Sequence, residues 1–471
     1  MSDLGDLTLV EAAAAVRDGE LSPVELTEHH LARIEETEPV LHAYACVDAD
    51  GARSQARAAE QAVRRGERLG PLHGVPVGVK DLIDTAGLRT TYGSPRFADH
   101  VPLHDATAVS RLRAAGAVLL GKHRTHELAW GGRTDSAFYG PTHNPYRHGH
   151  IPGGSSGGSA ASVAAGSSLG SLGTDTAGSV RIPAALSGCV GYKPTRGLVS
   201  LHGVMPLAPS LDHLGALGRT VADAAALVAA VAGHDPADPR TLADQVPALS
   251  GEPADPSNRM RVGWLGGWFT AVLDDRVRTE YESIRARLEK TGVETVDVEV
   301  PDEPAMTEAV LTRILAEAGA IHRRTFESDP GGFGADIAEL MRLPAPTPAR
   351  LAHTEAVISR FSAVLHTALE SCDVLVAPTE PTLAPEIGAT TVEVGGKVLP
   401  VELVLTRLTS PFDATGLPAV SVPVALVDGL PVAVQVVGRR LDDATALGVA
   451  RLVEQLVPRI PRPQVEGGGR Q

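Results

Sequence analysis

Apolar positions along the chain recur with two periods, one helical and one extended, and the two kinds of segment alternate. Capping-box spacings at Thr8–Glu11 and Ser22–Glu25 predict two early helices, so residues of about 5–65 are expected to be mainly helical. The continuous apolar run GVPVGV, which ends at Lys80, predicts a buried strand. Helix followed by strand recurs at ATAVSRLRAAG and AVLLGK, and again at RVRTEYESIRARLEKTG and VETVDVEV.

Towards the C-terminus the pattern changes to paired strands. The segments AVSVPVAL and PVAVQVVG flank an Asp-Gly pair at residues 428–429, which predicts a β-hairpin. Helical periodicity marks EAVLTRILAEAGAIHRR and LAHTEAVISRFSAVLHTAL, and the residues between these two stretches are predicted to form a loop. The whole alternation predicts the α/β fold class, as a single large domain with a mixed β-sheet covered by helices.

The segments suggest one continuous domain over residues 1–460. Its expected parts are the helical region of about 5–65, a core of about 70–235 and a region of about 260–410 that shapes a substrate pocket. A Pro- and Asp-rich connector covers roughly 235–259. Residues 461–471, rich in glycine, are expected to be a disordered tail.

Composition and charge narrow the possible partners. The 471 residues include 42 Lys and Arg against 57 Asp and Glu, a net charge of −15 without a basic stripe, so no nucleic acid is expected to bind. No apolar stretch reaches the roughly 18 to 20 residues that a bilayer span needs, so no membrane partner is expected. The first residues lack a signal-peptide pattern, which predicts a cytoplasmic protein. The three cysteines lie far apart and predict neither a disulfide framework nor a metal site.

Residues 152–183, PGGSSGGSAASVAAGSSLGSLGTDTAGSVRIP, consist mostly of glycine, serine and alanine. A flexible linker would be polar throughout, whereas this segment has apolar residues at Val163, Leu169 and Leu172 and therefore predicts burial. A glycine-rich turn can aim several N–H groups at one point, as an oxyanion site requires. Composition alone leaves a catalytic site and a tightly packed structural turn equally open.

Two phosphate- and metal-binding motifs are incomplete in this sequence. Gly116–Lys122 matches the start of a phosphate-binding loop, but His123 stands where the loop needs Ser or Thr. His123, His126 and Glu127 follow each other in an order that fits neither common zinc-binding helix. We therefore expect no metal.

A serine esterase of the α/β-hydrolase type remains an alternative. The nucleophile-elbow pattern G-x-S-x-G occurs on Ser155, Ser156 and Ser168, although the preceding HNPYRHGHIP is a poor strand. Such an esterase also needs a histidine base and an aspartate. The candidate bases are His234, His322, His353 and His366.

The stretches GGSSGGSAASVAAG, GTDTAGSVRIPAALSGCVGYKPT and GVPVGVKDLID resemble the amidase signature family, and the similarity extends from about residue 5 to 455. In that family a lysine precedes a first catalytic serine by 75 residues, and this serine precedes the nucleophile by 24. Lys80, Ser155 and Ser179 have the same spacing. The resemblance implies the amidase signature fold and a hydrolase of linear amides, acting on carbon–nitrogen bonds other than peptide bonds, without a cofactor.

The resemblance also implies roles for these residues. Ser179 would attack the amide carbonyl and form an acyl-enzyme, while Ser155 relays the proton to Lys80. A lysine accepts a proton only if its surroundings keep it neutral, and the apolar residues before Lys80 are suited to do so. The implied oxyanion hole consists of the backbone N–H groups of Thr176, Ala177, Gly178 and Ser179.

Other residues are expected to surround the implied catalytic residues. Trp130, Gly131 and Gly132 are predicted to line a substrate pocket, with Trp130 as an apolar wall. Asp175 and Arg181 are predicted to be a structural pair that shapes the catalytic turn. The expected partner is a small-molecule amide, and a homodimer is left open.

Two differences from the amidotransferase A subunits indicate which members of the family this chain resembles. The A subunits of glutamyl-tRNA amidotransferases typically follow the nucleophile with Ile-Arg-Gln-Pro, whereas Ser179 is followed by Val-Arg-Ile-Pro. Those proteins also tend to have an aspartate where Thr406 stands in this chain. Both departures favour a stand-alone amidase. The alternatives are the esterase and the amidotransferase A subunit.

Overall fold

The computed structural model describes residues 4–243, 249 and 260–465. Helices and strands alternate along both halves of the chain. The elements before residue 243 are α1 (Leu9–Arg17), α2 (Pro23–Leu41), β1 (Tyr44–Val47), α3 (Ala49–Arg64), β2 (Pro76–Lys80), α4 (Thr107–Ala114), β3 (Val118–His123), α5 (Gly157–Ala165), β4 (Gly170–Asp175), α6 (Arg181–Ser187), β5 (Val190–Lys193), β6 (His213–Gly218) and α7 (Val221–Val231).

The second half continues the alternation and adds two long helices. These elements are β7 (Arg261–Gly267), α8 (Asp275–Lys290), β8 (Glu294–Val300), α9 (Ala305–Ser328), α10 (Ala335–Arg342), α11 (Pro348–Ser371), β9 (Val374–Pro378), β10 (Thr391–Val394), β11 (Lys397–Pro400), α12 (Val401–Arg407), α13 (Ser410–Thr415), β12 (Ala419–Val427), β13 (Leu430–Gly438) and α14 (Asp443–Gln455).

Eleven of the described strands form one mixed sheet, in the order β1-β3-β2-β4-β6-β5-β12-β13-β9-β7-β8. Strands β3, β2 and β4 are parallel neighbours, as are β9, β7 and β8, and the other pairs are antiparallel. The predicted α/β class, with a mixed sheet covered by helices, is confirmed. Since β2 and β4 run side by side, their carboxyl ends at Lys80 and Asp175 meet at one edge of the sheet.

Local sequence signals account for several element boundaries. Thr8 and Glu11 form the predicted capping box at the start of α1. Ser22 caps α2 by accepting hydrogen bonds from two backbone N–H groups, while its own hydroxyl donates to Glu60 Oε1 at 2.7 Å. Asp428 and Gly429 join β12 to β13 with positive φ angles of 51° and 73°, as a tight two-residue hairpin turn requires.

Two elements differ from the sequence-based expectation. The mainly helical amino-terminal part contains the short strand β1, which pairs antiparallel with β3 at the edge of the sheet. The loop expected between the two long helices contains α10, whose buried face consists of Ile337, Ala338 and Met341. Both elements are short, and a four-residue strand or an eight-residue helix shows too little of its period to be recognised.

The predicted connector and tail lie partly outside the described residues. Within the connector, residues 244–248 and 250–259 are outside them, as are residues 466–471 of the tail. Residues 461–465 contact the domain, where Tyr146 Oη donates a hydrogen bond to Pro461 O at 3.0 Å. Among the helices that the structure describes, none combines the length and apolar character needed to cross a bilayer.

Candidate active site

Lys80 is the last residue of β2, and its side chain is completely buried. Its Nζ lies 2.6 Å from Ser155 Oγ and 2.7 Å from Thr174 Oγ1 on the neighbouring strand β4. Burial lowers the pKa of Lys80 to about 7, against the opposing effect of the Asp175 and Asp212 carboxylates. Near neutral pH the amine is therefore balanced between its charged and neutral forms.

Ser155 lies in the glycine turn that leads into α5, and it is buried as completely as Lys80. Its backbone carbonyl accepts hydrogen bonds from His126 N–H at 3.1 Å and from Thr134 Oγ1 at 3.2 Å. A Cβ added at Gly154 would lie 2.7 Å from Thr134 Oγ1, and one at Gly157 would lie 2.4 Å from it. These glycines allow two backbone segments to pack at close range, which a free linker would not need.

Ser179 lies in the turn between β4 and α6, and the carboxylate of Asp175 holds this turn together. Asp175 accepts hydrogen bonds from Gly178 N–H at 2.7 Å and from Val180 N–H at 3.1 Å. The carbonyl of Ser179 accepts a bond from Ser156 N–H at 3.2 Å, which ties the turn to the one before α5. The two turns that carry the predicted catalytic serines are thus in direct contact, although no hydrogen bond between their two Oγ atoms is found among the described residues.

The N–H groups of this turn differ in their partners. Gly178 N–H is already bonded to Asp175, so it is not available to a substrate oxygen. The N–H groups of Thr176, Ala177 and Ser179 have no acceptor within residues 4–243, 249 and 260–465. The turn therefore presents three unpaired donors where the sequence predicted four, because the Asp175 carboxylate takes one of them.

The predicted pair of Asp175 and Arg181 is present and forms part of a larger buried group. Arg181 Nε lies 3.1 Å from Asp175 Oδ2, and its Nη2 lies 2.7 Å from Asp413 Oδ2. Its Nη1 donates to Thr409 O and to Gln435 Oε1, both at 3.0 Å. Although burial opposes ionisation, the Arg181 guanidinium holds the pKa of Asp175 well below its usual range.

A second carboxylate, Asp212, supports the opposite end of the turn. Its Oδ1 accepts a hydrogen bond from Thr176 Oγ1 at 2.7 Å, and its oxygens also accept from the N–H groups of Leu207 and Ala208. The turn from Asp175 to Arg181 is therefore fixed at both ends by buried carboxylates.

A cleft of about 440 Å³ opens onto Ser179. Trp130, Gly131 and Gly132, the predicted pocket residues, line it together with Thr176 and Ala177. A Cβ at Gly131 would lie 2.4 Å from His126 Nε2, so this floor position requires glycine. Aliphatic side chains form part of the remaining wall: Ile182, Leu207, Leu311, Ile314, Leu315, Leu340 and Leu343. Charged side chains also line it: Arg133, Glu308, Asp336, Glu339, Arg350 and Glu402.

His126 and Glu127, whose order in the sequence fits neither common zinc-binding helix, fasten α10 beside the cleft. His126 Nε2 lies 3.0 Å from Asp336 Oδ2, and Glu127 Oε2 accepts a hydrogen bond from Gly334 N–H at 2.8 Å. Burial disfavours a charged imidazole, but the bond to Asp336 and the charge of Asp135 raise the pKa of His126. The two neighbouring side chains thus determine where the wall formed by α10 stands.

Thr406 lies on α12 and lines the same cleft. Its hydroxyl donates to Glu402 O at 2.7 Å. The carboxylate of Glu402 accepts from Gly132 N–H at 2.9 Å and lies 3.0 Å from Arg133 Nε. The acidic group on this wall is therefore already paired.

The candidate nucleophiles of the esterase alternative, Ser156 and Ser168, have different hydrogen-bond partners from Ser155. Ser156 Oγ donates to Thr174 O at 3.3 Å, and Ser168 Oγ lies 3.1 Å from Ser162 Oγ. Within the described residues neither serine is bonded to a histidine. The predicted bases His322 and His366 bond to backbone carbonyls, and His234 bonds to Thr241 Oγ1.

The residues of the incomplete phosphate and zinc motifs also separate in space. Val118–His123 is strand β3 rather than a phosphate-binding loop. His123 Nδ1 lies 2.9 Å from Ser171 Oγ, whereas His126 contacts Asp336.

Four residues of this site had no clear signal in the sequence: Thr174, Asp212, His126 and Asp413. Asp413 offered the best chance, since it is the only charged residue in the segment TSPFDATGLP. A lone acidic residue in an apolar segment indicates a buried partner. The sequence does not identify that partner, which is Arg181, 232 residues away.

The α/β domain, with its buried lysine bonded to a serine in a glycine turn, defines a class of hydrolase rather than a binding module. A family model described as Amidase matches residues 25–447. The chain belongs to the amidase signature family, whose hydrolases act on carbon–nitrogen bonds.

Relatives with different names are similar to this chain over nearly its full length. The A subunit of the glutamyl-tRNA(Gln) amidotransferase from Roseiflexus sp. (strain RS-1) is 38% identical over 476 residues, which cover 95% of this chain and 96% of that protein. A crystal structure of an amidase has 34% identity and a TM-score of 0.87, covering 96% of this chain and 100% of its own. A chain solved in work on a vestigial protein complex and the origins of an s-triazine catabolic enzyme has 33% identity and a TM-score of 0.88, covering 95% and 98%.

Proposed function

We propose that this protein is a stand-alone amidase that hydrolyses a linear carboxylic acid amide to the acid and ammonia or an amine. The observation that carries the proposal is the completely buried amine of Lys80, 2.6 Å from Ser155 Oγ and with its pKa lowered to about 7. A neutral amine in this position has a free electron pair and can accept a proton at physiological pH.

In the first half of the reaction, Ser179 Oγ attacks the amide carbonyl carbon. Its proton passes to Ser155 Oγ while the Ser155 proton passes to Lys80 Nζ, so that Lys80 becomes charged. The tetrahedral oxyanion accepts hydrogen bonds from the unpaired N–H groups of the turn. Lys80 then returns its proton through Ser155 to the nitrogen of the leaving group, the carbon–nitrogen bond breaks, and Ser179 is left as an acyl ester.

In the second half, a water molecule attacks the ester carbonyl. Ser155 takes a proton from the water and Lys80 takes one from Ser155, in the same order as before. When the second tetrahedral intermediate collapses, this proton returns to Ser179 Oγ and the carboxylic acid is released. All the groups in this sequence are protein side chains, backbone N–H groups and water, so the proposal includes no cofactor.

The oxyanion hole of this proposal consists of Thr176, Ala177 and Ser179 N–H, with Gly178 N–H holding the turn through Asp175. Three donors in a fixed turn need no reorganisation during the reaction. Removal of one such donor typically lowers the rate by a factor of about 10² to 10³. Gly178 is nevertheless essential to the geometry, because a Cβ there would lie 2.2 Å from Thr409 Oγ1.

The substrate of the proposal is a small amide with an apolar acyl group. Seven leucine and isoleucine side chains line the cleft, and Trp130 lines it beside the glycines. Position 406 holds a threonine rather than a carboxylate that could bind the α-amino group of glutamine. The Thr406 hydroxyl donates a hydrogen bond to Glu402 O in the same helix. We therefore favour uncharged acyl groups over glutamine.

The relatives favour a second candidate, the A subunit of glutamyl-tRNA(Gln) amidotransferase, which is the name of the 38% identical protein from Roseiflexus. This candidate shares the proposed chemistry but predicts release of ammonia from glutamine together with a partner protein. The two candidates therefore differ in substrate rather than in catalytic residues.

The test measures ammonia or amine release from aliphatic amides, anilides, indoleacetamide, allophanate and glutamine. Wild-type protein should turn over at least one amide other than glutamine. Lys80→Ala and Ser179→Ala should abolish this turnover, and Ser155→Ala should nearly do so, with far-UV circular dichroism unchanged. Ser156→Ala is the matched control, because Ser156 is adjacent and buried and the hydroxyl that the substitution removes donates to Thr174 O.

The outcomes separate the candidates. Turnover of glutamine alone would favour the amidotransferase candidate, and loss of activity in Ser156→Ala with retention in Lys80→Ala would favour the esterase. Near-wild-type rates in Lys80→Ala or Ser179→Ala would overturn the proposed mechanism.

A further inference from the structure

A second cavity, of about 360 Å³, lies beside the active site and has a different chemical character. Arg196, Arg240 and Arg440 line it, together with Asp212, His213 and Asp238. A small cavity adjoins both spaces, since it shares Thr176 with the catalytic cleft and Asp212 with the second cavity.

The charges around this cavity do not balance. Arg240 is neutralised by Asp238, whose carboxylate accepts two hydrogen bonds from it at 2.7 and 3.2 Å. Arg196 and Arg440 have no carboxylate within ion-pair distance among the described residues. The carboxylate of Asp212, the remaining acidic group, is already occupied by three donors. With three arginines against two aspartates, the lining of this cavity carries a net charge of +1, which in a chain with a net charge of −15 favours an anionic ligand.

Arg196 is held in a fixed orientation and still has donors to spare. Its Nη2 donates to the backbone carbonyls of Asp413 and Ala414, which anchor one edge of the guanidinium. Its Nε is buried and has no acceptor in the part of the chain that the structure describes. A planar guanidinium anchored on one edge is well suited to bind an oxoanion with its other nitrogens.

His213 adds an acceptor to the same cavity. Its Nδ1 lies 2.6 Å from Leu211 O, and a carbonyl can only accept, so Nδ1 carries the ring proton. Nε2 is therefore an acceptor, and it is buried without a partner among the described residues. Burial, together with the charges of Lys193 and Arg196, lowers the pKa of His213 well below its usual value, which favours the neutral ring.

We propose that this cavity binds a small oxoanion that keeps one exchangeable proton, such as hydrogen phosphate or a half-protonated dicarboxylate. Arg196 and Arg440 donate to its charged oxygens, and its remaining hydroxyl donates to His213 Nε2. This combination of donors and one acceptor distinguishes such an anion from chloride, which carries no proton. The site goes beyond the proposed amidase activity and does not depend on it.

A ligand at this site would be coupled to the catalytic turn through Asp212. Asp212 lines the cavity and also holds Thr176 through a hydrogen bond of 2.7 Å. Thr176 in turn contributes one of the unpaired N–H groups of the active site. Binding should therefore be visible in the hydrolysis rate of any amide that the enzyme accepts.

The test is isothermal titration of the full-length protein at pH 7 with inorganic phosphate, which keeps a proton there, and separately with malonate, which keeps none, at constant ionic strength set by sodium chloride. We expect saturable binding of one anion per chain. Arg440→Gln and Arg196→Gln should each weaken the affinity about tenfold or more, because each removes a charge-assisted contact. Phosphate should bind more tightly than malonate, because only phosphate can donate a hydrogen bond to His213 Nε2.

Two surface variants control for loss of folding and for loss of charge alone. Arg440 is exposed and makes no hydrogen bond within the described residues, so Arg440→Gln remains a valid test if Arg196→Gln fails to fold. Arg17→Gln removes the same charge from the exposed end of α1 and should leave the affinity unchanged. Absence of saturable phosphate binding, or equal weakening by Arg17→Gln and Arg440→Gln, would overturn the proposal.

Discussion

At the scale of single residues, three lysines of the described chain are completely buried: Lys80, Lys122 and Lys193. Burial lowers the pKa of all three, because a charged amine is poorly solvated in the protein interior. Lys122 Nζ donates to Ile83 O and Lys193 Nζ to Leu417 O, both at 2.5 Å. Of the three, Lys80 alone contacts a serine hydroxyl, so burial alone does not make a lysine a candidate base.

The pKa of Lys80 predicts how activity depends on pH. Because the proposed base must be neutral, kcat/KM should rise with pH through a single ionisation near pH 7 and level off above it. The measurement is kcat/KM from about pH 5.5 to 9 on an uncharged amide substrate. A rate that falls as pH rises through 7 would contradict a neutral lysine base.

The Asp212→Asn variant tests whether the charge of Asp212 contributes to the pKa of Lys80. Asp212 carries a negative charge that raises the pKa of Lys80, so its removal should move the acidic limb of the pH profile to lower pH. The control is Asp223→Asn, a buried carboxylate that caps α7 and does not act on Lys80, and it should leave the limb in place. A limb that does not move in Asp212→Asn would indicate that another group titrates.

At the scale of elements, Arg181 joins parts of the chain that are distant in sequence. It begins α6, pairs with Asp175 at the end of β4, and reaches Asp413 in α13 and Gln435 in β13. Its side chain is completely buried, so every one of its donors depends on protein acceptors. The turn from Asp175 to Arg181 is thus attached to the second half of the chain through one side chain.

Replacing Arg181 with methionine should therefore destabilise the protein strongly. Asp175 and Asp413 would remain buried without their cation, and loss of one partner of a buried ion pair typically costs about 3 to 5 kcal/mol. The measurement is the free energy of unfolding from urea titration, followed by circular dichroism.

The matched control is Arg64→Gln, which removes an exposed ion pair with Glu60 one helical turn away in α3. Exposed pairs of this kind contribute little, so the free energy of unfolding should change by less than about 0.5 kcal/mol. Similar effects of the two substitutions would mean that the Arg181 group does not stabilise the fold in the proposed way.

At the scale of the whole molecule, one sheet contains strands from both halves of the chain. β5, from the first half, pairs with β12, from the second, and the helix α6 packs against strands of both parts. The largest hydrophobic cluster among the described residues takes side chains from both halves, so we expect the two halves to fold together.

The shared core predicts a single cooperative unfolding transition. Trp130 lies in the first half and Trp264 and Trp268 in the second, and they are the only tryptophans of the chain. The double variant Trp264→Phe/Trp268→Phe reports on the first half by fluorescence, and Trp130→Phe reports on the second. Within each variant the urea midpoint from fluorescence should coincide with that from circular dichroism. Separate midpoints would indicate two independently folding units.

Several parts of the fold could be predicted from sequence because their signals are local. The apolar run before Lys80 predicts β2, and the Asp-Gly pair at residues 428–429 predicts the hairpin of β12 and β13. The strand β1 and the helix α10 could not be predicted. Their conformation depends on partners elsewhere, since β1 needs the free edge of β3, and α10 is fastened by His126 and Glu127 from another segment.

The sequence by itself determined the residue types of the candidate site, their spacing of 75 and 24 residues, and the glycines that let the turns approach each other. Only the tertiary structure decided that Lys80 is desolvated, that Asp175 takes the N–H of Gly178, and that a second cavity lies beyond Asp212. The physical reason is that solvation and hydrogen-bond partners depend on neighbours in space. For this site many of those neighbours lie far along the chain, as Asp413 does from Arg181.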